Sequence, residues 1–422
     1  MQPERFSLDN GLRVVYAPMP SMHSVSVAVF VGFGSRYETD REAGAAHLIE
    51  HMLFKGTARR PRAQEISQPI DAVGGVLNAS TDKETTAYWV KVAQDSLPLA
   101  IDLLADMLMN SRLMPSDLVR EKGVVFEELR MLRDDPQDWL NVLTDEILWP
   151  GHPLGREIAG TEESLRGLTR AALRRLVNRF YGPNNAVLSV AGGIHLEAVR
   201  PLIETHFGGW RSVPPVSPPM PAREPPFPTD RVEPRPIEQV HVALAYPAVS
   251  RRHPDAWPLD LLCTILGGGN SSRLFIRLRE QLGLAYDIGA GTVQFSDSGA
   301  VSIYVGVDPA NAERVIATVF QEVDRFLRRR VPTGELDRAK RYLRGRLFLS
   351  LEDTHAVASW YGAQELLRGE IKTPEEVAAE IDSVTAEDIR RVARSYLSPD
   401  NARVITVGPA ADLDVARISI GA

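Results

Sequence analysis

Cysteine is nearly absent from this chain. Among its 422 residues only Cys263 is a cysteine, so an intrachain disulfide cannot form. Because Cys263 lies in the apolar run LDLLCTIL, we expect a buried thiol with no chemical role. A chain without disulfides is suited to a reducing compartment, and we expect a cytoplasmic protein.

Long apolar runs and an excess of positive charge are also missing. No stretch approaches the roughly 18 consecutive apolar residues of a membrane span, and the opening segment MQPERFSLDNGLRVVYAPMP has no apolar core of a secretory signal. That segment instead predicts a strand, an Asn-Gly turn and a second strand. Lys and Arg number 48 against 55 Asp and Glu, so the formal net charge is −7. We therefore expect neither a membrane nor nucleic acid as a partner.

Proline is spread unevenly, and its densest segment separates two similar sequences. Residues 212–236 hold ten of the 30 prolines, which excludes helix and central strand and predicts an extended linker. The stretch LTRAALRRLVNRFYGPNNAVLSVAG ends at Gly192, and the similar stretch VTAEDIRRVARSYLSPDNARVITVG ends at Gly408, an offset of 216 residues (408 − 192). We therefore predict two homologous domains, 1–211 and 237–422, joined by this linker.

Strand and helix patterns are mixed in each predicted domain. Alternating apolar residues predict strands in VSVAVFVGFGS, from Val25, and in VHVALAYPAVS, from Val240. Amphipathic segments such as LPLAIDLLADMLMNS predict helices. Because the two types do not alternate as regular βαβ units, the pattern favours the α+β class, with a largely antiparallel sheet in each half.

The segment HLIEHMLFKG carries the residues best suited to chemistry. On a helix, His47 and His51 project from one face, while Glu50 lies on the adjoining flank. Two imidazoles so placed can bind one metal ion, with a carboxylate beside the open coordination position as a general base. The alternative is an ordinary helix that happens to carry two histidines.

A third metal ligand is expected from another helix, within PSDLVREKGVVFEELRMLRDDP. Glu121 and Glu128 are seven residues apart and so share one face. Glu127 points about 100° away from Glu128 and is the alternative third ligand. From the residues alone, a solvated helix face would be the simpler interpretation of such carboxylates.

The motif HLIEHMLFKGT, followed 77 residues after His51 by Glu128 (128 − 51), resembles that of the insulinase/pitrilysin zinc peptidases. The chain length and the duplication resemble the branch that includes mitochondrial processing peptidase and its bacterial homologues. The resemblance covers nearly the whole chain, including GGVLNASTDKETTAYW and LGGGNSSRLFIRLREQLGLAY. It implies that the two homologous halves form a clamp, and that each chain binds one Zn²⁺.

The resemblance also implies roles for individual residues of the first half. His47, His51 and Glu128 are expected to bind the zinc ion, and Glu50 is expected to act as general base. Glu121 matches a supporting carboxylate that would orient a histidine ligand.

The second half has no HxxEH motif, so it is not expected to bind this metal. By the resemblance, Arg279 and Tyr286 in RLREQLGLAYDIG are expected to hold the peptide and stabilise the oxyanion of the tetrahedral intermediate. Arg277 is the local alternative to Arg279. From the residues alone, a surface arginine and a core tyrosine would be the simpler interpretation.

Substrate contacts are expected along VLNASTDKETTAYWV, which alternates like a strand. By the resemblance this strand lies at a sheet edge near the metal, where an extended peptide can add by main-chain hydrogen bonds. Asn78 and Ala79 match positions that contact substrate. Phe54 matches an apolar pocket, although it could equally belong to the core.

Together these features predict a zinc endopeptidase acting on oligopeptides or unfolded polypeptides. Because the chain carries both the metal motif and the Arg–Tyr pair, it is expected to be either a self-sufficient monomer of two domains or, as the branch implies, a homodimer. A maturation protease that trims one precursor is the first alternative. The second is a noncatalytic scaffold, such as the respiratory-complex core subunits that resemble this family. Loss of His47, Glu50 or His51 would indicate a scaffold, and all three are present.

Overall fold

The computed structural model of the chain describes residues 2–222 and 230–409. Within these residues are two separate sheets, one of six strands and one of five. No helix in this part of the chain is long and apolar enough to cross a membrane. Cys263 is buried, and its burial raises the pKa of the thiol, so the predicted buried thiol is confirmed.

The first sheet is built entirely from the N-terminal half. Its strands are β1 (Glu4–Ser7), β2 (Arg13–Pro18), β3 (Ser24–Val31), β4 (Val76–Thr81), β5 (Thr86–Ala93) and β6 (Ala186–Gly192). Their spatial order is β1-β2-β6-β3-β5-β4. Only β2 and β6 pair in parallel, and the other four pairs are antiparallel. The strand β4 therefore forms one edge of this sheet.

Eight α-helices lie in the described residues of the N-terminal half. They are α1 (Ala45–Leu53), α2 (Gln64–Asp71), α3 (Leu97–Asn110), α4 (Pro115–Asp134), α5 (Pro136–Leu148), α6 (Glu162–Gly167), α7 (Arg170–Phe180) and α8 (Leu196–Phe207). The predicted motif helix is α1, and the helix predicted to carry Glu121 and Glu128 is α4.

The second half repeats this arrangement. Its strands are β7 (Arg231–Pro234), β8 (Val240–Ala248), β9 (Ala285–Gln294), β10 (Gly299–Val307) and β11 (Arg403–Gly408). Its α-helices are α9 (Ala256–Gly267), α10 (Ala312–Arg328), α11 (Thr333–Ser350), α12 (Thr354–Arg368), α13 (Pro374–Ser383) and α14 (Ala386–Tyr396).

The second sheet has the strand order β7-β11-β8-β10-β9, which matches β2-β6-β3-β5-β4 of the first sheet strand for strand. Its single parallel pair, β7 with β11, corresponds to β2 with β6. The predicted α+β class, with a largely antiparallel sheet packed with helices in each of two homologous halves, is confirmed.

The compact packing units are not contiguous in sequence. One unit takes the described residues within Met1–Leu129, Arg156–Met220 and Phe348–Pro374, and the other takes those within Arg130–Gly155, Pro221–Leu347 and Glu375–Ala422. Helix α12 of the second half therefore packs in the first unit, whereas α5 of the first half packs in the second. The division into 1–211 and 237–422, which follows the repeat, stays a prediction.

The proline-rich segment contains more regular structure than the sequence suggests. Residues 211–222 form neither helix nor strand, but Arg231–Pro234 forms β7, which pairs with β11 at the edge of the second sheet. An edge strand tolerates proline because one side of its backbone needs no ladder partner. Residues 223–229 of the predicted linker lie outside the described residues.

The first sheet is covered on both faces. On one face Val25, Val27 and Val29 of β3 pack in a core that includes residues of α1, α3 and α8. On the other face Ala28 and Phe30 pack against buried residues of α12. The central strands are therefore apolar at successive positions, as a strand buried on both sides requires.

The start of α1 is fixed by a close chain crossing and a buried carboxylate. Gly44, its N-cap, has φ +88°, and a Cβ added there would lie 2.3 Å from the carbonyl oxygen of Ala159. The Glu38 carboxylate accepts hydrogen bonds from the N–H groups of Gly44 at 2.9 Å and Ala46 at 2.6 Å. These hydrogen bonds satisfy two N–H groups that have no partner within the helix, so Glu38 stabilises α1 where it begins, and burial raises the pKa of Glu38 to about 8.

Replacement of Gly44 by alanine is expected to destabilise the protein by about 3 kcal/mol or more, because a left-handed conformation and a backbone clash are combined. Gly74→Ala is the matched control: its φ is +68°, but nothing lies within 4 Å of an added Cβ, so about 1 to 2 kcal/mol is expected. Urea unfolding of the two variants measures the difference. If both variants lost the same free energy of unfolding, the close contact between Gly44 and Ala159 would not contribute to the destabilisation.

Candidate metal centre

Helix α1 has one buried face and one polar face. Its residues Leu48, Ile49 and Met52 are buried in the core, as the helical spacing of apolar residues requires. The three motif residues His47, Glu50 and His51 lie on the remaining surface and are only partly exposed. The side chains that could carry chemistry are thus held by a helix whose opposite face is anchored.

His47, His51 and Glu128 converge. The Nε2 atoms of His47 and His51 lie 3.8 and 3.7 Å from Oε2 of Glu128, and the ring centroids of the two histidines are 4.6 Å apart. Among the described residues, this is the one group of three or more His, Cys, Asp or Glu side chains that could hold a metal ion. Glu127 is not part of the group.

The donor atoms suit a zinc ion. Zinc bonds to nitrogen and oxygen at about 2.0 to 2.2 Å, so tetrahedral ligand atoms lie roughly 3.3 to 3.6 Å apart, close to the distances seen here. Oε2 of Glu128 is buried and has no hydrogen-bond partner among the described residues. Such an atom is costly unless something binds it. An ion between the three side chains would satisfy it.

Burial keeps His47 neutral. Desolvation, and then the neighbouring His51, lower the pKa of His47 to about 4. A neutral imidazole has a free lone pair, which a metal ligand needs. His47 therefore keeps this lone pair at neutral pH.

A buried carboxylate on α4 supports His51 from the other side. Oε2 of Glu121 lies 3.3 Å from Nδ1 of His51, which assigns the proton to Nδ1 and leaves Nε2 free to face Glu128. The other carboxylate oxygen of Glu121 is 2.9 Å from the Lys55 ammonium. Glu121 thus contacts His51, and its role as the carboxylate that orients a metal ligand stays a prediction.

Glu50 lies beside this group and is held by a threonine. The Thr81 hydroxyl donates a hydrogen bond of 2.6 Å to Oε2 of Glu50. Burial raises the pKa of Glu50, whereas the hydrogen bond from Thr81 and the charge of His51 lower it, and Glu128 raises it again. The net pKa of Glu50 is above its usual value.

The strand β4 has an open edge next to α1. It pairs with β5 on one side only, and its residues alternate between exposed and partly buried. Asn78 is exposed, and its side-chain oxygen accepts a hydrogen bond of 2.8 Å from the N–H of Ala79. Phe54 directly follows α1, is partly buried, and lies 6.5 Å from the ring of Tyr88. The structure thus puts Asn78 and Ala79 on an edge strand, while Phe54 packs against the core.

In the second packing unit, Arg279 and Tyr286 contact each other. The Arg279 guanidinium stacks 4.5 Å from the centroid of the Tyr286 ring and 5.0 Å from that of Phe275. Tyr286 is 77% exposed, so it is not the core tyrosine that the simpler interpretation suggested. Arg277, the alternative, instead donates to the Gln281 side chain. Arg279 lies in the π-helical segment Phe275–Gln281, and the roles of the pair stay predictions.

Two residues of this centre were missed by the sequence analysis, Thr81 and Lys55. Lys55 is four residues after His51, so helical spacing offered a signal that it lies near the same face. Thr81 is two residues after Ala79 and therefore shares its side of β4, but nothing in the sequence indicates that this side meets Glu50.

Comparison with known proteins identifies the family. Residues 13–162 match the family described as Insulinase (Peptidase family M16), and residues 167–343 match the family described as Peptidase M16 inactive domain. An uncharacterized zinc protease of Mycobacterium tuberculosis is 41% identical over 404 residues, which cover 94% of this chain and 91% of the relative. This chain belongs to the insulinase family of peptidases, and the resemblance inferred from its motif is confirmed.

Two further relatives span nearly the whole chain. The mitochondrial-processing peptidase subunit beta of Lentinula edodes is 32% identical over 409 residues, which cover 93% of this chain and 86% of that subunit. The crystal structure of a protease from Helicobacter pylori superposes with a TM-score of 0.89 at 25% identity, covering 96% of this chain and 99% of that one. The similarity thus extends through both halves, including the half without the HxxEH motif.

Loss of a residue that supports a metal ligand typically weakens metal binding by roughly 10- to 100-fold. Glu128→Gln is expected to weaken Zn²⁺ binding by more than this, because the charge of a direct ligand is lost. Glu127→Gln, one residue earlier on the same helix, is expected to leave the affinity within about 3-fold of wild type. Competition titration with a chromogenic chelator measures both. If Glu127→Gln lost more affinity for Zn²⁺ than Glu128→Gln, Glu127 would be the metal ligand instead.

The stability of the metal-free protein is expected to depend on His47 below neutral pH. The pKa of His47 is about 4 in the folded protein, and the usual value is 6.5, so the unfolded chain binds the proton first as the pH falls. The contribution is present above pH 6.5 and is lost progressively towards pH 4, with a loss of about 2 kcal/mol between pH 7 and pH 5.

The measurement is urea unfolding of chelator-treated protein at both pH values. Other groups also titrate in this range, so the wild-type protein is compared with His47→Gln. Between pH 7 and pH 5 the free energy of unfolding should fall by about 2 kcal/mol more in the wild-type protein than in His47→Gln. An identical pH dependence in the two proteins would contradict the buried, neutral state of His47.

Proposed function

We propose that this chain is a zinc-dependent endopeptidase that hydrolyses peptide bonds of oligopeptides or unfolded polypeptides. One observation carries the proposal: two imidazole nitrogens and an otherwise unpartnered carboxylate oxygen converge beside Glu50. A helix with two incidental histidines would not require this arrangement. The relatives named zinc proteases support zinc as the metal.

In the proposed mechanism, His47, His51 and Glu128 hold the zinc ion. Zinc, when bound, supplies Lewis acidity that polarises a carbonyl and lowers the pKa of a water molecule to about 7. Glu50 accepts a proton from the attacking water and delivers it to the amide nitrogen of the leaving group. Glu121 keeps the His51 ring in the required tautomer and orientation.

The open edge of β4 is the proposed binding site for the peptide. An extended peptide can add there as a further antiparallel or parallel strand, so that main-chain hydrogen bonds provide affinity with little demand on sequence. Asn78 and Ala79 would contact the peptide, and Phe54 would border a side-chain pocket. A requirement for extended backbone favours short or unfolded substrates over folded proteins.

Arg279 and Tyr286 are proposed to contact the substrate and stabilise the oxyanion. Their mutual stacking and the exposure of Tyr286 support this assignment, because the two side chains lie together and the tyrosine is open to a ligand. The proposal includes the predicted clamp of the two halves and the homodimer. A cytoplasmic location is part of the same proposal.

Maturation of a specific precursor is the second candidate function. The likeness to a mitochondrial-processing peptidase subunit supports it, since that relative is named for processing. The two candidates share the same chemistry and differ only in substrate. Cleavage of many unrelated peptides favours the general peptidase, whereas cleavage of one protein precursor alone favours the second.

Glu50→Gln is expected to lower kcat for a quenched fluorescent peptide of about 10 residues by roughly 100-fold or more, because the general base is lost while the metal ligands remain. Zinc content, measured by mass spectrometry of the metal, should stay at wild-type level. Glu163→Gln, at an exposed position of α6, is the matched control and should retain full activity.

Metal removal tests the same proposal independently. Chelation should abolish cleavage by the wild-type protein, and added Zn²⁺ should restore it. A wild-type protein that contains one zinc per chain but cleaves neither a peptide library nor unfolded proteins would refute the general peptidase. Full activity of Glu50→Gln would refute the assigned base.

A further inference from the structure

Thr81 is the one hydrogen-bond donor to the Glu50 carboxylate among the described residues. Its hydroxyl lies 2.6 Å from Oε2 of Glu50, and the side chain is partly buried. A carboxylate with one charge-assisted hydrogen bond has a preferred orientation, whereas without it the group can rotate about its last side-chain bonds. Thr81 therefore limits the positions that Glu50 can adopt.

The main chain of Thr81 belongs to the open edge of β4. The N–H of Asp82 donates to the carbonyl of Thr85 at 2.8 Å, so this pair is hydrogen-bonded across the turn between β4 and β5. Hydrogen-bonded and non-hydrogen-bonded pairs alternate along an antiparallel ladder. The pair Thr81 and Thr86 is thus non-hydrogen-bonded, and the N–H and C=O of Thr81 point away from β5, towards the open edge.

Ala79 supports this orientation. It lies two residues before Thr81 and so has the same relation to β5. Its N–H donates to the neighbouring Asn78 side chain, as expected of a group outside the ladder. The N–H and C=O of Thr81 and the C=O of Ala79 therefore face the edge where a peptide strand would add, while the N–H of Ala79 is bonded to the Asn78 side chain.

We propose that Thr81 is a positioning residue that couples the substrate-binding edge to the general base. Its main chain pairs with the bound peptide while its hydroxyl orients Glu50. One residue therefore fixes the position of the general base relative to the peptide. The inference rests on the proposed function, because it assumes that β4 binds substrate and that Glu50 accepts the proton. It adds a residue that the HxxEH motif does not contain.

Loss of the Thr81 hydroxyl should act on the chemical step. Base and peptide would each remain present, but the base would no longer be fixed relative to the scissile bond. Small misplacements of a catalytic group can reduce the rate by about 100-fold. We therefore expect kcat to fall by about 10- to 100-fold, with KM within about 3-fold of wild type, because the edge itself is intact.

The experiment compares Thr81→Val, which keeps the shape without the hydroxyl, with Thr81→Ser, which keeps the hydroxyl. Ser67→Ala removes a hydroxyl from an exposed position of α2, outside the proposed site, and is the matched control. For each variant kcat, KM, zinc content and the unfolding midpoint are measured. The expected pattern is a kcat loss in Thr81→Val, near-wild-type kcat in Thr81→Ser and in Ser67→Ala, and unchanged zinc content in all three.

Thr81→Ala protects the test against a folding defect in the valine variant. It lacks both the methyl group and the hydroxyl, so its kcat relative to Thr81→Ser isolates the hydroxyl. Equal kcat in the serine and alanine variants would overturn the inference, as would a kcat loss that only follows a loss of zinc or of stability.

Failure of the inference and failure of the proposed function give different results. If the wild-type protein cleaves peptide and Glu50→Gln does not, but Thr81→Val matches wild type, only the role of Thr81 is refuted. If the wild-type protein with bound zinc cleaves no peptide, the proposed function itself is refuted, and the role proposed for Thr81 is refuted too.

Discussion

The contact between Glu121 and His51 determines how the two helices of the metal centre meet. Glu121 is 6% exposed and lies on the same face of α4 as the buried residues Leu118 and Val125. A carboxylate in such a position is unfavourable unless it is paired. Its two partners, His51 and Lys55, both come from α1 or the residues just after it. One relative position of α1 and α4 therefore satisfies Glu121, and that position brings Glu128 to the two histidines.

The features that the sequence predicted well are local. His47, Glu50 and His51 lie together on the surface of α1, as helical periodicity predicts, and Glu121 and Glu128, seven residues apart, both reach His51 from one side of α4. The opening hairpin was predicted from the Asn-Gly pair, and β1 and β2 are joined there, with Gly11 at φ +91°. Each of these inferences needs only residues that are close in the chain.

The features that escaped prediction depend on contacts between distant segments. Thr81 meets Glu50 across 31 residues of sequence, and Glu121 meets Lys55 across 66 (121 − 55). The amphipathic pattern of α12 predicts a helix but not which sheet the helix covers. Periodicity describes one element at a time, whereas these contacts depend on how the elements pack.

The duplicated halves share a strand order, but only the first carries the group of His47, His51 and Glu128. The reason is that the corresponding helices of the two halves differ in how much polar surface they expose. Helix α9 buries nine of its twelve residues and so has little surface left for polar ligands, whereas α1 keeps three polar residues on one side. The second half is nevertheless required by the first. Gly362 of α12 meets the ring of Phe30, where an added Cβ would lie 2.4 Å away, and α12 covers that face of the first sheet. A first half produced alone would expose this apolar face to water, so the half that carries His47, His51 and Glu128 is not a complete packing unit.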